Sequence, residues 1–158
     1  MHPNHTLVET FYSCFARRDW AGMAACYHPE AEFSDPVFTR LKGSEVSDMW
    51  EMLCKRGKDL KIEFRVLRGD DSGAAAHWDA RYTFSGTGRK VHNSIDAEFE
   101  FRDGKIVRHR DRFDLWRWTR MALGLKGVLL GWLPAVQNAV RAQAARSLAE
   151  FRARKTAA

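Results

Sequence analysis

Residues 61–114 read KIEFRVLRGDDSGAAAHWDARYTFSGTGRKVHNSIDAEFEFRDGKIVRHRDRFD, and the fold turns on this stretch. Ile62, Phe64 and Val66 alternate with Lys61, Glu63 and Arg65, the period of two that sends one set of side chains to a buried face. Asp70-Asp71-Ser72-Gly73 is a turn sequence. Ala76, Trp78, Ala80, Tyr82 and Phe84 then alternate with His77, Asp79, Arg81 and Thr83, and Ser85-Gly86-Thr87-Gly88 turns the chain back. Over 90–102, Val91, Asn93, Ile95, Ala97 and Phe99 alternate with His92, Ser94, Asp96, Glu98 and Glu100. Arg102-Asp103-Gly104-Lys105 is a hairpin signal, and 106–114 reads as the last strand. Four strands in hairpin succession form a meander with one apolar face that must be covered.

The cover lies upstream. Leu7, Val8, Phe11, Cys14 and Phe15 recur at helical spacing and predict a helix over about 4–17. Asp19 suits the N-cap of a short second helix ending near Tyr27, where His28-Pro29 stops it. Ala31–Phe38 reads as a strand broken at Asp35-Pro36. Gly43-Ser44 opens a third helix over about 45–55, with Val46, Met49, Trp50 and Leu53 on one face. The expected fold class is α+β: three N-terminal helices packed on a curved, mostly antiparallel sheet, with a pocket between the layers.

A chain of 158 residues with 45% hydrophobic and 12% aromatic side chains suits one globular domain. Its charge is unevenly spread. Residues 1–115 hold 18 basic and 19 acidic side chains, whereas residues 116–158 hold eight basic residues and the single acid Glu150. A neutral body has no basic cleft, so no nucleic-acid partner is expected for it. Cys14, Cys26 and Cys54 have no metal-ligand spacing and are expected as buried free thiols. No zinc or iron spacing, phosphate loop or serine elbow occurs, which predicts no metal and no cofactor. With no leader pattern at the N-terminus, the expected location is cytoplasmic.

The run Cys26-Tyr27-His28-Pro29-Glu30-Ala31-Glu32-Phe33-Ser34-Asp35-Pro36-Val37, with Asp19-Trp20 before it, resembles the helix–strand entry of the nuclear-transport-factor-2-like (NTF2-like) superfamily. Its nearest enzymatic branches are ketosteroid isomerase and the SnoaL-like polyketide cyclases. The resemblance covers about residues 4–114 and implies a cone-shaped fold, a homodimer and a pocket for a hydrophobic small molecule. In the isomerase an Asp-Pro dipeptide at this place supplies the general base, which by similarity is the role of Asp35. Asp96, eight residues before Gly104, matches the isomerase's oxyanion-hole aspartic acid. One ionised carboxylate takes a proton beside a carbonyl, and a second, neutral carboxyl hydrogen-bonds the developing oxyanion. That division of labour belongs to ketosteroid isomerase itself.

The chain departs from that pattern at Phe11, which stands 24 residues before Asp35 where the isomerase has its oxyanion tyrosine. Tyr12 points about 100° away around the helix. On the last strand Val107, His109, Asp111 and Phe113 share one face. The SnoaL-like cyclases use pocket histidines and aspartates as acid/base groups. By that similarity His109 and Asp111 become catalytic candidates, with Asp111 orienting His109 and His92 joining from the neighbouring strand. Phe11, Tyr12, Tyr27, Trp50, Trp78 and Phe113 are the expected lining. The function implied is an acid/base enzyme of isomerase, cyclase or lyase type acting on a hydrophobic carbonyl compound. The alternative is a non-catalytic ligand-binding or interaction domain. Plain structural roles also fit: a turn aspartate at 35, a solvated face at 96, a buried pair at 109 and 111.

Residues 116–158 form a basic helical extension beyond the 1–115 domain. Trp116–Leu123 suits two helical turns, Gly127–Leu133 an apolar connector, and Pro134 the first turn of a long helix to about Arg154. Three uses fit: packing on the cone or across a dimer, a lid over the pocket, or contact with an anionic membrane or a nucleic acid. Val128–Val136 is interrupted at Gly131 and Pro134 and falls far short of the roughly 20 residues of a spanning helix.

Overall fold

The computed structural model describes all residues, Met1–Ala158. Helix α1 (Pro3–Ala16) is capped by the His2 ring, which accepts the Asn4 N–H. Helix α2 (Trp20–Ala25) is capped by Asp19, which accepts the Gly22 N–H. Strands β1 (Tyr27–Ser34) and β2 (Leu41–Lys42) follow, then helix α3 (Ser44–Arg56). The meander is β3 (Lys61–Asp70), β4 (Gly73–Phe84), β5 (Arg89–Arg102) and β6 (Lys105–Arg112). Helices α4 (Leu115–Leu123), α5 (Leu125–Leu130) and α6 (Pro134–Ala157) complete the chain.

The six strands lie in the order β2-β1-β6-β5-β4-β3, and every pairing is antiparallel except that of β1 with β6. Between β5 and β6, Asp103 and Gly104 both take positive φ, the primed turn that the sheet twist favours. The meander and three early helices are as the sequence predicts. β1, however, starts at Tyr27 and ends before Asp35. Its pairing with β6 jumps from Tyr27 to Glu32, so Pro29 sits in an irregular segment where no ladder bond is asked of it.

Register organises the two faces. Phe33, His109, Phe99 and Ala74 form one inward row across β1, β6, β5 and β4. Phe64, Trp78 and Ile95 form another. Helices α1 and α3 bury Val8, Phe11, Phe15, Met49 and Trp50 against this surface. The outward face carries ion pairs such as Arg108–Glu100 at 2.9 Å and side-chain hydrogen bonds such as His77–Asp96 at 2.8 Å. Cys14, Cys26 and Cys54 are free and buried, one in each layer of helical cover.

The extension does not stand apart. Leu148 of α6 belongs to the main core, and Phe151 packs against it. Asp48 and Glu51 on the outer side of α3 are covered by α6, whose Arg152 and Lys155 reach them at 2.9 and 2.8 Å. The expected apolar connector is itself a helix, α5, joined to α4 through Gly124 at φ 68°, a conformation that favours glycine. No helix is long and apolar enough to cross a membrane.

Candidate active site

Sheet and helices part where the inward side chains are small. Ala80 and Asn93 lie opposite each other on β4 and β5 and leave room that α3 does not fill. The result is a cavity of about 720 Å³ lined mainly by apolar groups, among them Met49, Trp50, Trp78, Ile95 and Phe113. Val136, Val140 and Ala144 of α6 close one side, so the extension supplies a wall of the cavity.

Two carboxyls open into this space. Asp35 caps the turn that ends β1: its Oδ1 accepts the N–H groups of Val37 at 2.7 Å and Phe38 at 2.6 Å. Its Oδ2 has no protein partner and is accessible in the cavity. Burial pushes the Asp35 carboxyl up to about 7. The two N–H bonds oppose this rise, and the nearby Asp111 charge adds to it. Asp35 is half-buried and lines the cavity. Arg141 of α6 donates to the Pro36 carbonyl at 2.8 Å and holds the same turn from outside.

Asp111 is held differently. The Trp50 indole N–H donates to the Tyr27 hydroxyl at 2.9 Å, Tyr27 lies 2.7 Å from His109 Nδ1, and His109 Nε2 lies 2.8 Å from Asp111 Oδ1. A neutral imidazole with its proton on Nε2 satisfies the series: Tyr27 O–H donates to Nδ1, and Nε2–H donates to Asp111. Aromatic rings enclose His109, with Phe99 at 4.3 Å and Phe33 at 4.9 Å between centroids. It is fully buried and does not line the cavity. Asp111 is the cavity end of the series, and its Oδ2 is left free for a ligand. The placement is the reverse of the expected one: Asp111 faces the cavity and His109 is hydrogen-bonded behind it.

Asp35, Asp111, Trp50, Trp78 and Phe113 share one cavity. Asp96 does not. Its side chain is 77% exposed on the outer face of β5, where it pairs with His77. His92 lies on that same face, 3.0 Å from Asp79. Both have the even parity of Ser94 and Glu98, opposite to the inward Asn93 and Ile95. Phe11 and Tyr12 fill the core between α1 and the sheet, and the Tyr12 hydroxyl is buried without a partner. Tyr27 also stands behind the cavity wall, as a member of the hydrogen-bonded series.

Several polar groups of the cavity escape the sequence reading, Tyr82 and Asn93 among them. Tyr82 accepts the Trp118 indole N–H at 2.7 Å, which leaves its own hydroxyl proton free. Burial raises its pKa, and the Asp35 charge adds to the shift, so the hydroxyl stays protonated beside that carboxyl. Asn93 is a buried cavity residue whose amide has no protein partner. A lone asparagine among Val91, Ile95, Ala97 and Phe99 at inward parity is the signal that could have found it.

The comparisons fit this architecture. A candidate polyketide cyclase from Xanthomonas campestris pv. campestris superposes with a TM-score of 0.66 at 20% identity, covering 75% of this chain and 96% of its own. An epoxide hydrolase of M. tuberculosis, described as LEH-like, gives 0.61 at 20% identity, covering 82% and 96%. TerC, co-crystallised with polyporic acid, gives 0.63 at 19% identity, covering 75% and 97%. No curated protein matches the sequence. The SnoaL-like domain profile matches residues 8–109, from within α1 into β6; it includes Asp35 and ends two residues before Asp111. The chain thus belongs to the SnoaL-like family of the NTF2-like superfamily.

Proposed function

We propose that this chain is a proton-transfer enzyme, of isomerase, cyclase or lyase type, acting on a hydrophobic carbonyl compound. One observation carries the reading: two carboxyls, each with one oxygen tied down and one free, open on the same apolar cavity. Asp35, with a pKa of about 7, holds enough carboxylate at neutral pH to act as a base and enough acid to return a proton. Its Oδ2 takes a proton from the carbon beside the carbonyl, and the C–H electron pair becomes the enolate double bond. Charge collects on the carbonyl oxygen, where the Tyr82 hydroxyl and the Asn93 amide are the donors at hand. Asp35 then delivers the proton to a different carbon (isomerase); or the enolate carbon adds to a second carbonyl, whose C=O π pair moves to oxygen and takes the proton from Asp35 (cyclase); or the enolate expels a β oxygen substituent, which leaves with the C–O pair and takes that proton (lyase). Asp111, oriented by His109, binds a polar end of the substrate. Fold neighbours that include a candidate polyketide cyclase and an epoxide hydrolase add support at the level of small-molecule chemistry.

The experiment is a turnover screen of enolisable cyclic ketones and polyketide-like carbonyl compounds against the native chain and Asp35→Asn. The native enzyme is expected to turn over at least one of them, and Asp35→Asn to lose about a hundredfold or more in kcat. Equal rates for the two proteins on an identified substrate would sink the assignment of Asp35. Tyr82→Phe is expected to lower kcat more than it raises KM, as for an interaction made in the transition state.

A further inference from the structure

Helix α5 is built inside out. Gly127 and Gly131 face α4, and a Cβ at either would collide with Thr119. The large residues point to solvent: Leu125 is 72% exposed, Leu129 60% and Trp132 57%. Val128 and Leu130 are exposed as well. Both flanking indoles are tied to this helix, Trp132 by a hydrogen bond to the Leu129 carbonyl and Trp116 by one to the Val128 carbonyl. A continuous apolar patch of this kind marks a surface that meets a partner.

Its surroundings are cationic. Lys126 lies in α5, Arg120 stacks on Trp116 with its guanidinium 4.4 Å from the ring centre, and Arg117 lies one turn away. Arg89 bonds to the Met121 carbonyl at the end of α4. None of these four is ion-paired, and residues 115–149 contain no acidic side chain. The patch also adjoins the cavity mouth: Leu123, Lys126 and the exposed Ala135 line the cavity at this end.

We propose that this face docks the protein on an anionic lipid surface, with α5 and its two tryptophans at headgroup depth and the cavity mouth toward the bilayer. Indole rings and leucines suit the acyl boundary, and the basic rim suits anionic headgroups. A second copy of the chain fits poorly. A two-fold contact through α5 would bring the cationic rims of both copies, Arg117, Arg120 and Lys126 of each, into one interface with only Asp114 of each to offset them. Docking does not depend on Asp35 chemistry, and it gives an apolar ligand a route from lipid to cavity that avoids water.

Co-sedimentation with phosphatidylcholine vesicles, with and without phosphatidylserine, tests this at low and high salt. The native chain is expected to bind the phosphatidylserine vesicles and to release them as salt rises. Lys126→Glu is expected to weaken that binding more than about fivefold, the effect of losing one cation at the surface. Leu129→Asn with Trp132→Asn is expected to weaken it at both salt levels. All three positions are exposed, and unchanged thermal melts would show that the variants fold. Asp35→Asn is expected to bind vesicles like the native chain, which separates this proposal from the catalytic one. Failure to bind either vesicle, or binding indifferent to these substitutions, overturns it. So does a dimer, seen by sedimentation equilibrium, that dissociates on Leu129→Asn with Trp132→Asn while vesicles are ignored.

Discussion

Asp35 enters the neutral pH range with its proton because the cavity solvates its carboxylate poorly. Its folded pKa of about 7 lies above the unfolded value near 3.9, so the folded protein retains a proton the unfolded chain has released. Stability contributed by this group is therefore present below about pH 4 and lost as pH rises through about 7. Asp35→Asn keeps an oxygen for the Val37 and Phe38 N–H groups and removes the titration. Urea denaturation is expected to show the variant more stable than the native chain at pH 8, by up to about 4 kcal/mol, with the gap closing toward pH 4. His109→Phe keeps an aromatic ring but strands Asp111 and Tyr27 without their partner. It is expected to cost about 3 kcal/mol in the same assay. Asp35 was legible because the family resemblance quotes its dipeptide. At Asp96 the count back from Gly104 and the strand parity point to opposite faces, and the structure follows parity. Tyr82 and Asn93 had the right parity but no motif to single them out.

Among the elements, the meander was the most legible, since its alternation is unbroken and Asp103-Gly104 marks the last turn. The start of β1 was not, because Pro29 reads as a helix stop until the irregular pairing with β6 is known. The role of α6 was the least accessible: Arg141 meets Pro36 and Lys155 meets Asp48 across about a hundred residues of sequence, which no local pattern encodes. Those contacts form a latch. Burial raises the Asp48 carboxyl, but the hydrogen bonds and charges of Lys155 and Arg152 outweigh it and leave the pKa below its ordinary value. Glu51 is lowered by the same balance, through Lys155 and Lys55. A lowered pKa contributes stability above the unfolded value, and that contribution is lost as pH falls below about 4. Arg152→Ala with Lys155→Ala is expected to cost about 1–2 kcal/mol at neutral pH. The loss should shrink in high salt and at pH 3, as read by denaturant titration.

At the scale of the molecule, a neutral body carries a basic extension that shares its core. Leu148 lies in the main hydrophobic cluster, so the extension is expected to melt with the domain in one calorimetric transition. Arg141 and Arg146 should resist trypsin until that transition. Early clipping there, with the rest intact, would show the extension to be an independent unit.

The three cysteines give the fold a set of internal clocks. Burial raises all three thiols, Cys26 and Cys54 to about 11, so almost no thiolate exists at neutral pH while the structure is closed. A thiol-specific dye can then react only during an opening. With Cys14 on α1, Cys26 at the end of α2 and Cys54 on α3, single-cysteine variants would time the lifting of each helical cover separately. A ligand that fills the cavity should slow Cys54 most, because α3 lines that space and α1 touches it only at Phe15.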